Sequence, residues 1–403
     1  MKKLNNKLLV AFSVMVFLSS CNKELGTLPA IVVPAYPAGT NTLAATIAGT
    51  VTDSLYNRII IKSGLAATLG DNARTFTMFV PDNNALILSF GGSLPAANGA
   101  IASFSAATCA GIVQYNTVGG KVPASAIPTT FPNYPFPSQI ILDPTQPFVR
   151  MTTFPTKNAV YAYVNNIPIT AVDQAASNGI IHHTGALVAP PSATLKTVIA
   201  AEPTLSYFRA AVARADSGSV GLSKFDSLLN YGVTNMTVLA PNDAAFQTLV
   251  FGLVYSSALA ASGGNIPFAT AQANGAVAAG PAFLSTNNVT TLQIKGIVAY
   301  HLLASLTTST TTPYQPNIRV FSTNVPATPT FIKTLVNGSI AIHPGVLAQA
   351  TYAGPFVSSL KFSSFGTFPP GGAPFSYTAT ALTLDKHAVN GVYHIIDKVL
   401  LPQ

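Results

Sequence analysis

Two short apolar runs end at a proline in the same way. Residues 76–80 (Phe-Thr-Met-Phe-Val) are followed by Pro81-Asp82-Asn83-Asn84-Ala85-Leu86, and residues 236–240 (Met-Thr-Val-Leu-Ala) by Pro241-Asn242-Asp243-Ala244-Ala245-Phe246, 160 positions later. Each run predicts a strand, closed by a proline that has no N–H for a ladder. The Asp/Asn pair after it predicts the N-cap of a helix. A second block pairs Asn178-Gly179-Ile180-Ile181-His182 with Asn390-Gly391-Val392-Tyr393-His394. Asn-Gly is expected to take positive φ and to reverse the chain into a closing strand. A third pairs Ile112-Val113-Gln114-Tyr115-Asn116 with Ile297-Val298-Ala299-Tyr300-His301, each at the end of a helix-like stretch. Apolar positions at helical spacing open both copies, from Thr42-Leu43 through Leu65 and from Thr194-Leu195 through Phe208.

The three blocks recur in one order. In that order they resemble the fasciclin domain: a Thr-x-x-x-Pro-x-(Asn/Asp)-x-Ala block, a Tyr-His block and an Asn-Gly-x-x-His block continuing to Asp397 and Pro402. The resemblance implies an α+β fold of two tandem fasciclin-like domains, each a wedge of two β-sheets flanked by helices. It covers 41–191 as domain 1 and 192–403 as domain 2, with Pro190-Pro191 at the junction. The family mostly serves adhesion and matrix contacts outside cells, shares no catalytic site and needs no cofactor. Its Tyr-His pair falls on Tyr300 and His301. The first copy has Tyr115 and Asn116 there, and Gly185 stands where the second has Asp397. Tyr300, His301, Tyr115 and Asn116 are the expected partner-binding or structural motif. For His301 a hydrogen bond pinning the following segment to the core is weighed against direct contact with a partner.

The copies differ in length. From the Tyr-(Asn/His) block to the Asn-Gly block is 63 positions in the first and 90 in the second. Extra chain is expected within 343–377, with Tyr352, Phe356, Phe362, Phe365, Phe368, Phe375 and Tyr377, and again within 251–284, rich in Ala and Gly. In the first copy 129–154 alternates proline with Phe131, Tyr134, Phe136 and Phe148. Long loops on a rigid scaffold are where binding concentrates. The alternative is that these aromatics cover sheet edges and core.

Composition narrows the classes. Only 8% of the 403 residues are charged and 49% are hydrophobic, which excludes a chain disordered by polarity. The net charge of +8 includes Lys2, Lys3 and Lys7 near the N-terminus, and no basic run follows. A nucleic-acid footprint is therefore excluded. Residues 1–20 read as a secretory signal: basic residues, then an apolar stretch from Leu8 to Leu18 too short to span a bilayer comfortably. Leu18-Ser19-Ser20-Cys21 resembles the lipobox of bacterial lipoproteins, which implies cleavage before Cys21 and acylation of its thiol. Residues 21–40, with Pro29, Pro34 and Pro37, read as a tether. The expected location is the outer membrane, facing the cell surface or the periplasm, with the membrane as one partner through Cys21 and an extracellular protein or polysaccharide as the other.

Candidate chemistry is thin. Cys109 is the other cysteine and lies in an apolar helical stretch, as expected of an inert buried thiol. His182 and His183, adjacent on a strand, point to opposite faces and cannot share a metal. No Gly-x-Ser-x-Gly or phosphate-loop pattern occurs. The expectation is a binding module, neither enzyme nor metalloprotein. A carbohydrate-binding accessory lipoprotein of an outer-membrane uptake system is the alternative, because exposed aromatics and scarce charge suit neutral glycans.

Overall fold

The computed structural model describes residues 39–286, 289–306, 310–311, 314–364 and 377–402. Cys21 and the tether, and Phe365, Phe368 and Phe375, lie outside these. The residues from Ala38 onward form one compact unit. It is an α+β structure built twice on one plan.

The first repeat contributes strands β1 (Phe76–Pro81), β2 (Thr117–Gly119), β3 (Phe136–Ile141), β4 (Arg150–Thr153), β5 (Pro155–Lys157), β6 (Ala162–Val164), β7 (Ile167–Ala176) and β8 (Gly179–Thr184). They run β4-β3-β2-β1-β8-β7-β6-β5. The second contributes β9 (Met236–Pro241), the short pair β10 (Ser305–Leu306) and β11 (Tyr314–Gln315), β12 (Thr330–Ile332), β13 (Val346–Ala353), β14 (Phe356–Ser364), β15 (Tyr377–Ala388) and β16 (Gly391–Ile396). Apart from β10-β11, these run β12-β13-β14-β15-β16-β9. In each repeat the proline-ended strand lies parallel to the closing strand, β1 on β8 and β9 on β16. The wedge comes from the long strand before the closing one. β7 pairs with β6 through its first residues and with β8 through the rest, and β15 does the same between β14 and β16. Register shifts between Ile169 and Gln174, and between Ala381 and Lys386, bend that strand so that its two ends serve two leaves.

Local chemistry explains the helices. Thr42, Asp82, Ser105, Asn242 and Thr290 each accept the N–H of the third residue of the helix they cap. The opening helix expected from Thr42 to Leu65 is instead broken into Leu43–Gly49, a 3₁₀ turn at Val51–Asp53, and Ser54–Ser63. The second member of each Asp/Asn pair holds the start of that last helix. Asn83 Oδ1 accepts Leu55 N–H, and Asp243 Oδ1 accepts Tyr207 N–H, both within 2.9 Å.

The Asn-Gly blocks work differently from the expectation. Neither Asn178, Gly179, Asn390 nor Gly391 is among the residues with positive φ. Glycine is required by close approach. A Cβ on Gly179 would sit 2.3 Å from Phe76 O, and one on Gly391 2.4 Å from both Met236 O and Leu195 Cδ1. The asparagines are buried clasps. Asn178 Oδ1 accepts Leu43 N–H, and its Nδ2 donates to Leu69 O and Asp71 O. Asn390 repeats this with Leu195 N–H, Leu229 O and Tyr231 O. One side chain thus ties the first helix, the turn before the first strand and the closing strand.

The added segments in the second repeat are largely regular structure where loops were expected. Residues 251–284 lie in a helical hairpin, Asp243–Ala261 against Ile266–Ala278, followed by a 3₁₀ turn. The described part of 343–377 forms the β13-β14 hairpin and the start of β15. Its Phe362 is fully buried, and Tyr352 donates to Val325 O at 2.7 Å. Phe356 is exposed.

The repeats meet over a buried, mostly polar seam. Phe154 packs with Phe321 and Val392. Asn324 Nδ2 donates to Thr130 O and Thr156 Oγ1, its Oδ1 accepts Asn133 N–H, and Thr323 Oγ1 donates to Asn165 O. At its centre Arg319 is 1% exposed, with its guanidinium 5.1 Å over the Phe154 ring. It donates to His387 Nε2, Asn235 Oδ1 and Val389 O.

Candidate functional site

The Tyr-(Asn/His) motifs end equivalent helices, Ala106–Tyr115 and Thr291–Tyr300. All four side chains are fully buried. Tyr115 Oη donates to Thr152 O and accepts from Asn165 Nδ2, while Tyr300 Oη donates to Gly345 O at 2.8 Å. Burial pushes Tyr115 up to about 12. The His301 ring spans two segments. Leu400 N–H donates to Nε2 at 3.0 Å, so the proton sits on Nδ1, which donates to Ile297 O at 2.8 Å. Burial lowers its pKa to about 4 and the backbone bond opposes only part of that. Asn116 makes the matching bridge: Nδ2 donates to Ile112 O at 2.9 Å and to Val188 O at 2.8 Å. The geometry of His301 is that of a clasp holding the C-terminal segment, with no surface to offer a partner.

The Gly185/Asp397 difference has a local cause. Asp397 Oδ1 accepts Thr380 N–H at 2.7 Å, and Asp397 N–H donates to Thr380 O. At the equivalent place the first repeat has Pro168, which has no N–H to offer, and Gly185 N–H still donates to Pro168 O. Without the donor, the carboxylate has no task.

The other histidines are likewise occupied. His182 Nδ1 accepts Asp173 N–H and its Nε2 donates to Val122 O; His394 does the same with Asp385 N–H and Val320 O. His183 lies on the other face of β8, 3.1 Å from Asp53 Oδ2. Burial and the adjacent Arg319 hold His387 well below the usual range. Cys109 is buried, which raises its thiol pKa. Among the described residues no three His, Cys, Asp or Glu side chains converge as a metal set would.

A concave site does exist, at the mouth of the seam. A groove of about 500 Å³ runs between the β5-β6 turn of the first repeat and the segment after Arg319 in the second. Phe131, Val160, Tyr161, Val325 and Tyr352 give its apolar walls, and Thr156, Asn158 and Asn324 its polar points. Lys157 is the charged residue in the wall, and its ammonium is held by Ala124 O and Ser125 O. Val160 is 74% exposed at the rim. Sequence reasoning named Phe131 and Tyr352 as aromatic candidates but missed 156–161 and 323–327. Nothing in their composition marks them, and only the docking of the repeats brings them together.

The Fasciclin domain family model matches residues 54–188. That segment is a fasciclin domain. The match runs from the Ser54–Ser63 helix, past the proline-ended strand and the Tyr-Asn block, to just beyond the closing strand, and leaves out the Leu43–Gly49 helix. The second repeat follows the plan of the first through equivalent clasps, Asn390 for Asn178, His394 for His182 and His301 for Asn116. Among solved structures, a similar one is a FAS1 domain pair from the insect cell adhesion molecule fasciclin I, at 13% identity, covering 87% of this chain and 97% of that one with a TM-score of 0.33. No curated protein matches.

Proposed function

We propose that this chain is an extracytoplasmic binding module of adhesion type, acylated at Cys21 and held at the outer membrane, with no catalytic role and no cofactor. The fasciclin domain match at 54–188, on a plan that the second repeat repeats within the same compact unit, is the observation that carries this reading. A rigid pair joined by a buried seam presents a fixed surface, which lowers the ordering cost of binding. The partner, an extracellular protein or polysaccharide, engages the groove at the mouth of that seam. A neutral glycan is the second reading. It is favoured by the aromatic walls and by a lysine whose charge is already held by carbonyls.

Two experiments test this with the full chain. Replacing Cys21 with Ser should release the protein from the membrane fraction, and retention in the pellet would refute the anchor. Cells displaying the chain should adhere to matrix proteins or to a neutral glycan array. Val160→Asp with Tyr161→Ala should abolish adhesion without changing the melting temperature. Undiminished adhesion would place the site elsewhere.

A further inference from the structure

The helical hairpin of the second repeat has properties that the seam and the groove do not use. Its first helix, Asp243–Ala261, is long and apolar enough to cross a membrane, yet only 22% of it is buried. A core helix of that composition would be mostly covered. It is pinned to the body at its start by Ala245, Phe246 and Val250. The second helix packs along it through Ala269, Ala273 and Ala276. Among the described residues, cover thins towards the far end: residues 251–256 and Ala258-Leu259 are half-buried, and 263–268 are exposed. There Gly263 and Gly264 take positive φ to turn the chain, and Asn265 caps the returning helix by accepting Phe268 N–H. Ile266 is 60% exposed and Phe268 46% exposed in its first turn, with Pro267 between them.

The charge pattern identifies the occupant. Residues 244–294 contain no Asp, Glu, Lys, Arg or His. An apolar tip without ionic groups has nothing to orient a charged partner and no charge to desolvate on entering hydrocarbon. The chain between Cys21 and Gly39 also limits how far the body can stand from an anchoring membrane, to at most about 60 Å when fully extended.

We infer that the tip of this hairpin, Ile266-Pro267-Phe268, inserts into the interfacial layer of a lipid bilayer and forms a second membrane contact. The inference rests on the acylation proposed at Cys21, which supplies the nearby surface, and the two are read separately below. Interfacial helices rich in Lys and Arg depend on anionic lipid. This tip carries neither residue, so its insertion is independent of lipid charge and of salt.

The sequence contains no tryptophan, which makes a direct test available. Phe268→Trp in the full chain introduces a sole indole at the tip, and Phe148→Trp, at an exposed site of the first repeat, serves as control. With phosphatidylcholine vesicles, the Phe268→Trp emission should shift to the blue and be quenched at least twofold by brominated acyl chains, in low and in high salt. Phe148→Trp should do neither. Adding Ile266→Asp should remove the quenching. Co-flotation with the vesicles reports the anchor independently. Absence of quenching at Phe268→Trp, whether or not the chain floats, overturns the inference. So does a blue shift without brominated-lipid quenching, which would mean the tip docks on protein.

Discussion

Replacing His301 with Ala tests the helix-end clasp most directly. The imidazole is fully buried between Ile297 O and Leu400 N–H, and Leu400 is itself fully buried. Removing the ring strands the Leu400 N–H away from water, at about 1–3 kcal/mol. The space left by the ring, roughly 60 Å³, adds about 1.5 kcal/mol at ~24 cal/mol per Å³. A total near 3 kcal/mol is set against an unfolding entropy of about 0.8 kcal/mol/K for a unit of roughly 370 residues. The melting temperature should fall by about 4 °C at pH 7.

The pH dependence supplies a second readout. Folding lowers the His301 pKa from 6.5 to about 4, so between these values the unfolded chain binds the extra proton. The resulting stabilisation is fully present above pH 6.5 and is lost as pH falls towards 4, up to about 3 kcal/mol. His301→Asn keeps an acceptor for Leu400 N–H and a donor for Ile297 O. It should cost only about 1 kcal/mol at pH 7 and flatten the acid limb relative to wild type. Scanning calorimetry of the three proteins at pH 7 and pH 4.5 is the assay. If His301→Ala melts within 1 °C of wild type, or all three share one pH slope, the clasp is not what holds the C-terminal segment.

Gly391→Ala forces a Cβ to 2.4 Å from Met236 O, a backbone atom that cannot rotate aside, and should lower stability by about 3 kcal/mol or more in chemical denaturation. Asn390→Ala opens the clasp on Leu195 N–H, Leu229 O and Tyr231 O, and should cost about 2–4 kcal/mol in the same assay, with faster amide exchange at Leu195. Arg319→Ala removes the guanidinium stacked on Phe154 of the first repeat and leaves His387 Nε2 and Val389 O unpaired beneath the seam, while Asn235 Oδ1 keeps Thr152 Oγ1. It should split one thermal transition into two, and a single unchanged transition would show the repeats to be joined by other contacts.

The sequence by itself determined the duplication and the local elements. Proline-ended strands at 76–81 and 236–241, with Asp82 and Asn242 capping the helices after them, follow from proline's missing N–H and the short reach of an Asx side chain. Both effects act within a few residues. Burial of Cys109 and opposite faces for His182 and His183 followed from periodicity in the same way. The tertiary structure decided whatever depends on residues far apart. Gly179 and Gly391 look like turn glycines in sequence, but the carbonyls and leucines that exclude a Cβ come from over a hundred positions away. The Gly185/Asp397 difference is explained only by Pro168 and Thr380 across the ladder. A long Ala-Gly segment without charge reads as a loop until its alanines are seen to interlock as a helical hairpin. The groove is the clearest case. Its walls come from both repeats, positioned by Thr323 and Asn324, whose partners in the first repeat lie 158 to 194 residues away along the chain. Local propensity carries no trace of such a site, because its energy resides entirely in long-range hydrogen bonds and packing.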